Sequence, residues 1–212
     1  MKNYVSLLRQ NEERNLKYIL YFLIGYMVLY AVVWLHEVGH ALWYRKYNLK
    51  KDWWRVQVKP YIFFSTPGGV DAEVWEKLKP IQYVLSAYGG LMANALFAMI
   101  SAGIILIVGE TNEFLCIGLW LFMTLHIGEI VSYLFVGSIF LVSDMELVNQ
   151  YMPKLRIPNL LFGAILTVAY IYLLTLVPEG FRVFVVIWNI VTILSMCAGR
   201  IIFTAMAKRR TQ

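Results

Sequence analysis

The chain has 212 residues, of which 60% are hydrophobic and 16% aromatic, and its mean hydropathy is +0.62. A soluble domain of this length cannot bury so much apolar surface, so the composition excludes a soluble globular protein and indicates a membrane protein. The net charge of +6 needs no nucleic acid to explain it, because a basic face beside anionic lipid headgroups accounts for it. We therefore expect the lipid bilayer, and no nucleic acid, as a partner.

The apolar residues are grouped into five runs, each long enough to span a hydrocarbon core of about 30 Å at roughly 1.5 Å per helical residue. The first run is too long and too aromatic for a signal peptide, so it is interpreted as a retained helix. The sequence predicts an all-α integral membrane protein with about five transmembrane helices, forming a single domain over 1–212 with its core at 18–150 and additional helices within 160–203. The predicted spans are 18–44, 81–108, 114–142, 160–177 and 181–203.

The distribution of Lys and Arg indicates the orientation of these spans. Basic residues accumulate in segments 45–80 and 143–158 and at the C-terminal end, and fewer lie in segment 1–17 and in the turns on its side. Because cytoplasmic loops of membrane proteins are enriched in Lys and Arg, the basic side is expected in the cytoplasm. The sequence predicts a multi-pass protein with its N-terminus outside and its C-terminus in the cytoplasm.

The longest connection lies between the first two predicted spans, at 45–80. Its segments 53–58 and 61–64 are rich in β-forming residues, Pro60 separates them, and a Pro-Gly-Gly turn signal follows at 67–69. We expect a short membrane-associated β-hairpin in this loop. An amphipathic helix is then expected to lead from Asp71 into the second span.

Near the cytoplasmic end of the first span the sequence contains the motif HExxH, formed by His36, Glu37 and His40. On a helix, positions i and i+4 lie on one face, so both imidazoles can reach a single Zn²⁺ ion. The intervening Glu37 would then stand beside the metal and act as the general base. The motif predicts one zinc ion per chain, held in part by His36 and His40, and hydrolytic chemistry.

A zinc site of this type needs a third protein ligand, and the candidates are Asp144, His126 and Glu129. Asp144 lies at the cytoplasmic end of the third span, at the depth of the HExxH motif. His126 and Glu129 would lie roughly 27 and 22 Å further along a continuous helix, although a bend at Gly137 would change that estimate. Depth therefore favours Asp144 as the third ligand.

Each candidate also has a purely structural interpretation. Ser143 and Glu146 have the spacing of a capping box. In that case Asp144 would only be an acidic residue of the first helical turn, where the helix dipole stabilises it. His126 and Glu129 have the i,i+3 spacing of a polar pair buried between helices, as an alternative to positioning a substrate or transferring a proton.

The segment 20–150 resembles the site-2 protease family of intramembrane zinc metalloproteases. Those proteins place HExxH in one core span, a Gly-Pro-x-x-Asn-like element in the next and a metal-binding Asp, usually followed by Gly, at the start of a third element. Here Gly90 to Asn94 looks like the second element and Asp144 is in the position of the Asp, while Leu91 and Met145 replace the family's Pro and Gly. The resemblance implies that His36, His40 and Asp144 bind zinc near a β-element.

Asn94 lies in a patch of small residues, with Gly89, Gly90 and Ala93. Such patches let helices approach closely, and the Asn then often forms a hydrogen bond across the contact. Alternatively, the Asn94 amide is catalytic and donates to a developing oxyanion or holds the substrate backbone. The two roles are compatible.

The function expected from the motif and the resemblance is hydrolysis of a peptide bond in or next to a transmembrane segment of a membrane protein. One alternative is a membrane-embedded zinc peptidase with Glu129 as third ligand, which acts on unfolded or soluble substrates at the membrane face. Another is a catalytically silent zinc-binding membrane scaffold. Glu37 argues against the scaffold, since a scaffold has no need of a base.

Overall fold

The computed structural model describes residues 2–62, 65–109 and 112–210, with side chains described within 11–206. Within these residues the chain is almost entirely helical. A π-helical segment, Ser132–Gly137, follows α4, and a short 3₁₀ helix, Pro153–Leu155, precedes α7. The α-helices are α1 (Lys2–Lys46), α2 (Ala72–Glu76), α3 (Pro80–Val108), α4 (Glu113–Val131), α5 (Ser138–Phe140), α6 (Asp144–Tyr151), α7 (Arg156–Thr175) and α8 (Glu179–Arg210).

Five helical segments are long and apolar enough to cross a membrane, which confirms the predicted number of spans. Many large apolar side chains on their outer surfaces are exposed, as is compatible with a multi-pass protein whose helices face lipid. The first helix begins well before the predicted residue 18, because its polar N-terminal part continues the same helix. The five segments are Asn11–Lys46, Pro80–Val108, Glu113–Phe140, Pro153–Thr175 and Glu179–Met206.

The predicted β-hairpin in the loop after α1 is wrong for the residues that the structure describes. The loop contains one isolated antiparallel bridge, between Gln57 and Thr66, and no strand. Ile62 has a φ of 67°, which interrupts the extended conformation, and Pro60 has no N–H to offer a ladder. Phe63 and Phe64, part of the second predicted strand, lie outside the described residues.

Side-chain contacts to the backbone hold the loop instead of a ladder. Lys50 donates hydrogen bonds to the carbonyl oxygens of Arg55, at 2.5 Å, and of Pro67. Asp71 caps the short helix α2 by accepting from the N–H groups of Glu73 and Val74. The expected continuous helix from Asp71 into the second span is therefore divided, since α2 ends at Glu76 and α3 starts anew at a proline.

The helices α1 and α3 meet at glycines. A Cβ atom on Gly39 would lie 2.3 Å from the carbonyl oxygen of Gly89, and one on Gly89 would lie 2.6 Å from that of Gly39. Only glycines permit so close an approach of two helix backbones. The contact places the HExxH face of α1 directly against the small-residue patch of α3.

The third span ends differently from the predicted continuous helix 114–142. After α4 the chain passes through the π-helical segment Ser132–Gly137 and leaves the helix after Phe140. Leu141 and Ser143 then adopt φ angles of 51° and 54°, a region that non-glycine residues rarely occupy. Each such residue costs about 1–3 kcal/mol and is found where a site requires it. This tight turn directs Asp144, the first residue of α6, back towards α1.

The last two helices belong to the same bundle. Asn189 of α8 donates to Thr124 of α4 at 3.0 Å and accepts from Tyr170 of α7 at 2.8 Å. Asn189 and Thr124 are fully buried, so this network ties α7 and α8 to the third span.

Candidate metal centre

Three side chains from two helices converge at the inner surface of α1. His36 and His40 lie one turn apart on α1, and their Nε2 atoms are 3.0 Å apart. The Oδ2 atom of Asp144 lies 3.6 Å from Nε2 of His36 and 3.3 Å from Nε2 of His40. The ligand atoms of these three residues all lie within 4.8 Å of one another, the spacing of a group that could hold a metal ion.

The geometry of the three atoms fits a tetrahedral metal. Ligand atoms about 2.0–2.2 Å from one tetrahedral ion are separated from each other by about 3.3–3.6 Å. The two separations from Asp144, 3.3 and 3.6 Å, fall within that range, and the separation between the two imidazole nitrogens, 3.0 Å, is slightly shorter. Moreover, Oδ2 of Asp144 is buried and has no hydrogen-bond partner among the described residues. A buried acceptor without a partner is costly, and a cation at this point would satisfy it.

The surroundings of the Asp144 carboxyl group favour its charged form. Burial by itself would raise its pKa, but the adjacent imidazoles of His40 and His36 hold the pKa below its usual range. A metal ligand must be deprotonated, so this environment keeps the carboxylate ready to bind a cation.

Each imidazole is fixed at its second nitrogen. Nδ1 of His40 lies 2.7 Å from the carbonyl oxygen of Ser86 and donates to it, which leaves the lone pair of Nε2 for a metal. Nδ1 of His36 lies 3.1 Å from the amide nitrogen of Asn94. The His36 ring also stacks on Tyr133, with centroids 4.9 Å apart, and lies against Gly90, where a Cβ would be 2.4 Å from the ring. Packing on several sides therefore sets the position of this ring.

A cavity of about 570 Å³ opens onto the three ligands. Glu37 lines it and is only 7% exposed, so the acidic residue of the motif faces the same space as the two histidines. The loop after α1 also contributes to the wall, through Ile62 and Thr66. The cavity is therefore bounded by the long apolar helices on some sides and by the loop on another.

The structure distinguishes the three candidates for the third ligand. Asp144 joins the two histidines, and the side chain of Ser143 makes no capping hydrogen bond, contrary to the capping-box interpretation. Glu129 lines the same cavity, but its Oε2 atom pairs with Arg200 at 2.6 Å. Nδ1 of His126 lies 2.9 Å from the amide oxygen of Asn94. Both residues are nearer to the centre than the depth estimate placed them, yet neither contributes an atom to the group.

Asn94 is fully buried, and its amide contacts two histidines, His36 and His126. This arrangement favours a role in holding His36 over direct contact with a substrate. The close approach of α3 to α1 and the hydrogen bond across the contact are both present, as the small-residue patch suggested.

Sequence reasoning missed two residues near the centre. Arg200 of α8 places its guanidinium 3.8 Å over the ring of Tyr133, the ring that stacks on His36. The signal in the sequence for Arg200 is its position as a single cation inside an apolar run. Such a charge rarely lacks a partner in a membrane, so it indicates a buried acidic or aromatic neighbour. No signal in the sequence distinguishes Tyr133 from the other aromatic residues of the spans.

No family model, curated protein or solved structure matches this chain. What the chain does is therefore inferred from the residues of the centre itself. The geometry establishes a possible metal-binding group of His36, His40 and Asp144 beside Glu37.

Proposed function

We propose that the chain is an intramembrane zinc metalloprotease, similar to the site-2 proteases, that hydrolyses a peptide bond in or next to a transmembrane segment. The observation that carries the proposal is the convergence of His36, His40 and Asp144 at the wall of a cavity that Glu37 also lines. Two imidazoles and one carboxylate are a donor set of catalytic zinc sites, in which a fourth position stays open.

The residues of the chain have distinct roles in this reaction. A zinc ion in such a site supplies Lewis-acid polarisation of a carbonyl group and lowers the pKa of a coordinated water to about 7. Glu37 accepts the proton of the attacking water and returns it to the leaving amine, because its carboxylate faces the cavity and is not needed as a ligand. Asp144 and the two histidines hold the ion, and Tyr133 keeps the His36 ring in place.

The position of the cavity supports a membrane-protein substrate. The cavity lies among helices whose outer surfaces are apolar and exposed, which is compatible with a substrate that is itself embedded in the membrane. Such a segment must unwind before attack, because the carbonyl groups of an intact helix are hydrogen-bonded. In this proposal the loop that carries Ile62 and Thr66 at the cavity wall would contact the unwound chain.

Two other functions remain as alternatives. A peptidase with Glu129 as third ligand would need that carboxylate at the metal, whereas it pairs with Arg200 at 2.6 Å. A silent scaffold would retain the three ligands without needing Glu37 beside them. The geometry supports the first proposal better than the Glu129 peptidase, because the group with Asp144 forms without any rearrangement. It supports the protease better than the scaffold, because Glu37 lines the same cavity.

The test separates binding from catalysis through Glu37→Gln, which keeps the size of the side chain but cannot accept a proton. Zinc content is expected to equal that of the wild type, while cleavage falls by roughly 10²–10⁴-fold, the contribution of a positioned base. His40→Ala is expected to lose zinc and activity together. Glu76→Gln, which changes an exposed glutamate on α2, serves as the matched control and should resemble the wild type.

Cleavage is measured by comparing protein N-termini in membranes of cells that express wild type or Glu37→Gln, a comparison that requires no purified substrate. New N-termini in or beside transmembrane segments are expected only with the wild type. If they fall instead in soluble segments, the alternative peptidase is favoured. Identical sets of N-termini, or a chain without zinc, would exclude the protease function.

A further inference from the structure

All three histidines of the chain belong to one row of hydrogen-bonding groups. Starting from Ser86, the row passes through His40, His36 and Asn94 and ends at His126. Its successive contacts measure 2.7, 3.0, 3.1 and 2.9 Å. Only the first two histidines contribute to the metal-binding group, so the last two members need an explanation of their own.

Because the row is buried, each of its hydrogen bonds must join a donor to an acceptor within the row. Asn94 and His126 are both 0% exposed, so solvent water does not replace a missing partner. The other ring nitrogen of His126, Nε2, has no hydrogen-bond partner among the described residues. The contact with Asn94 is therefore the hydrogen bond that His126 makes within this part of the chain.

A metal on Nε2 of His36 fixes the proton of that ring on Nδ1. Nδ1 is then a donor and needs an acceptor, which Asn94 supplies only if its amide oxygen faces His36. The amide nitrogen, a donor, must then face His126, whose Nδ1 has to accept. The neutral His126 ring consequently carries its proton on Nε2.

The opposite direction also gives each contact of the row one donor and one acceptor. Among the described residues, it leaves Nε2 of His126 as an unpaired acceptor, whereas the metal-bound direction leaves it as an unpaired donor. With the amide nitrogen of Asn94 towards His36 and the oxygen towards His126, Nδ1 of His126 donates to Asn94, and Asn94 donates to Nδ1 of His36. His36 then carries its proton on Nε2 and donates to Nε2 of His40 at 3.0 Å. In this direction the Nε2 atom that would bind a metal is occupied by hydrogen.

We infer that Asn94 and His126 form a two-state row that couples the tautomer of His36 to metal occupancy, with Asn94 turning its amide when the metal binds. Both are positioning residues, since they act through His36. The inference rests on the proposed zinc site. The row neither gains nor loses a net proton. On His36 the Nε2–H bond breaks and an Nδ1–H bond forms, and on His126 the Nδ1–H bond breaks and an Nε2–H bond forms, each by exchange of a proton with water during transient opening of the helices.

The direct test is nuclear magnetic resonance of the full chain in liposomes, with ¹³C- and ¹⁵N-labelled histidine. The chain has only three histidines, and a His126→Gln variant assigns the signals of His126. Removing zinc with a chelator and restoring it is expected to move the His126 proton between Nδ1 and Nε2. Zinc binding with no change in the His126 tautomer would overturn the inference and leave the proposed protease intact. A chain that binds no zinc would overturn both.

Two substitutions at Asn94 test the direction of its hydrogen bonds by zinc affinity. Asn94→Asp offers only acceptors, so it is expected to bind zinc at least as tightly as the wild type. Asn94→Leu leaves Nδ1 of His36 without an acceptor and is expected to weaken zinc binding about 10–100-fold, as for other supporting partners of metal ligands. Asn189→Leu, at an equally buried asparagine outside the row, is the matched control and should keep the wild-type affinity.

The same variants separate the row from an oxyanion role of Asn94. If the amide only contacted the substrate, Asn94→Leu would keep full zinc affinity and lose only cleavage. Wild-type zinc affinity in Asn94→Leu would therefore overturn the inference, as would a similar loss of affinity in Asn94→Asp and Asn94→Leu. The inference is supported if Asn94→Asp keeps the zinc affinity of the wild type and Asn94→Leu loses it.

Discussion

Gly39 of α1 and Gly89 of α3 touch backbone to backbone, so close that a Cβ atom on Gly39 would lie 2.3 Å from the carbonyl oxygen of Gly89. His36 and His40 flank Gly39 on α1, and Ser86 and Asn94, which contact the two imidazoles, flank Gly89 on α3. The distance between the two helices therefore sets the distance between the two candidate metal ligands and their supporting groups.

Gly39→Ala is expected to separate α1 from α3 and to damage the centre. The added methyl group would meet backbone and the Cβ atom of Ala93, which cannot move aside as the end of a flexible side chain could. Overpacking of this kind costs about 1–3 kcal/mol of folding free energy. We expect a lower unfolding midpoint and lower zinc content, measured in detergent.

Gly103→Ala is the matched control for that substitution. Gly103 lies on α3, and no atom lies within 4 Å of the position that its Cβ would take. Alanine is about 1 kcal/mol better than glycine inside a helix, so this variant should be as stable as the wild type or more stable. Equal unfolding midpoints and equal zinc contents of Gly39→Ala and Gly103→Ala would show that the contact between Gly39 and Gly89 is unimportant.

The third ligand is tested by removing each carboxylate in turn. Asp144→Ala takes away one of three ligand atoms and is expected to lose most of the bound zinc. Glu129→Gln, which leaves Arg200 a polar partner, is expected to keep it, because the Glu129 carboxylate pairs with Arg200 and not with the histidines. Zinc content of the folded, purified chains is the measurement. Loss of zinc only in Glu129→Gln would favour the alternative peptidase.

The sequence predicted the spans and the three possible ligands because both depend on simple regularities. Apolar runs of sufficient length identify spanning helices, and the i,i+4 spacing brings His36 and His40 to one face. Asp144 was predicted from its depth and from the resemblance of its segment to the site-2 proteases, and the structure places it with the histidines.

The parts that the sequence did not predict depend on tertiary contacts. The β-propensity of the loop after α1 is overridden by Lys50, which ties the backbone at Arg55 and Pro67, and by the positive φ of Ile62. The contact between Asn94 and His126 joins residues on different helices, and no spacing rule relates them. Likewise, a depth estimate along a straight helix could not anticipate that Glu129 lines the cavity.

The orientation of the chain stays a prediction, based on the excess of Lys and Arg in the loop after α1 and at the C-terminal end. In a background without the native cysteines, Arg14→Cys and Lys51→Cys place single thiols at exposed positions on opposite sides. We expect a membrane-impermeant maleimide to label Arg14→Cys in intact cells and Lys51→Cys only after the cells are opened. The reverse labelling would contradict the orientation.

Lys50 is expected to be the main side chain that orders the loop after α1. Burial lowers its pKa, and its ammonium group donates to the carbonyl oxygens of Arg55 and Pro67. Lys50→Met removes both hydrogen bonds and should speed proteolysis within the loop. Lys51→Met, at the exposed neighbour, should leave the rate unchanged. Because the lowered pKa means that folding favours the uncharged amine, the loop should become more protease-resistant as pH rises towards the pKa of an unfolded lysine.

Arg200 of α8 forms a buried ion pair with Glu129 of α4 at the wall of the cavity. Its guanidinium lies 2.6 Å from Glu129 and 2.7 Å from the hydroxyl of Ser132, and the side chains of Arg200 and Glu129 are only 14% and 5% exposed. Removing one partner of a buried pair leaves an uncompensated charge, which costs about 3–5 kcal/mol. Arg200→Met should therefore destabilise the folded chain by an amount of that order.

The double variant Arg200→Met/Glu129→Gln distinguishes a buried ion pair from simple packing. With both charges removed, the chain should recover much of the stability that Arg200→Met loses, because no buried charge is left unpaired. Unfolding in mixed micelles with increasing denaturing detergent gives the three free energies that the comparison needs. If the effects of the two single substitutions simply add, Arg200 and Glu129 are not coupled, and α8 is held by its packing and by Asn189 alone.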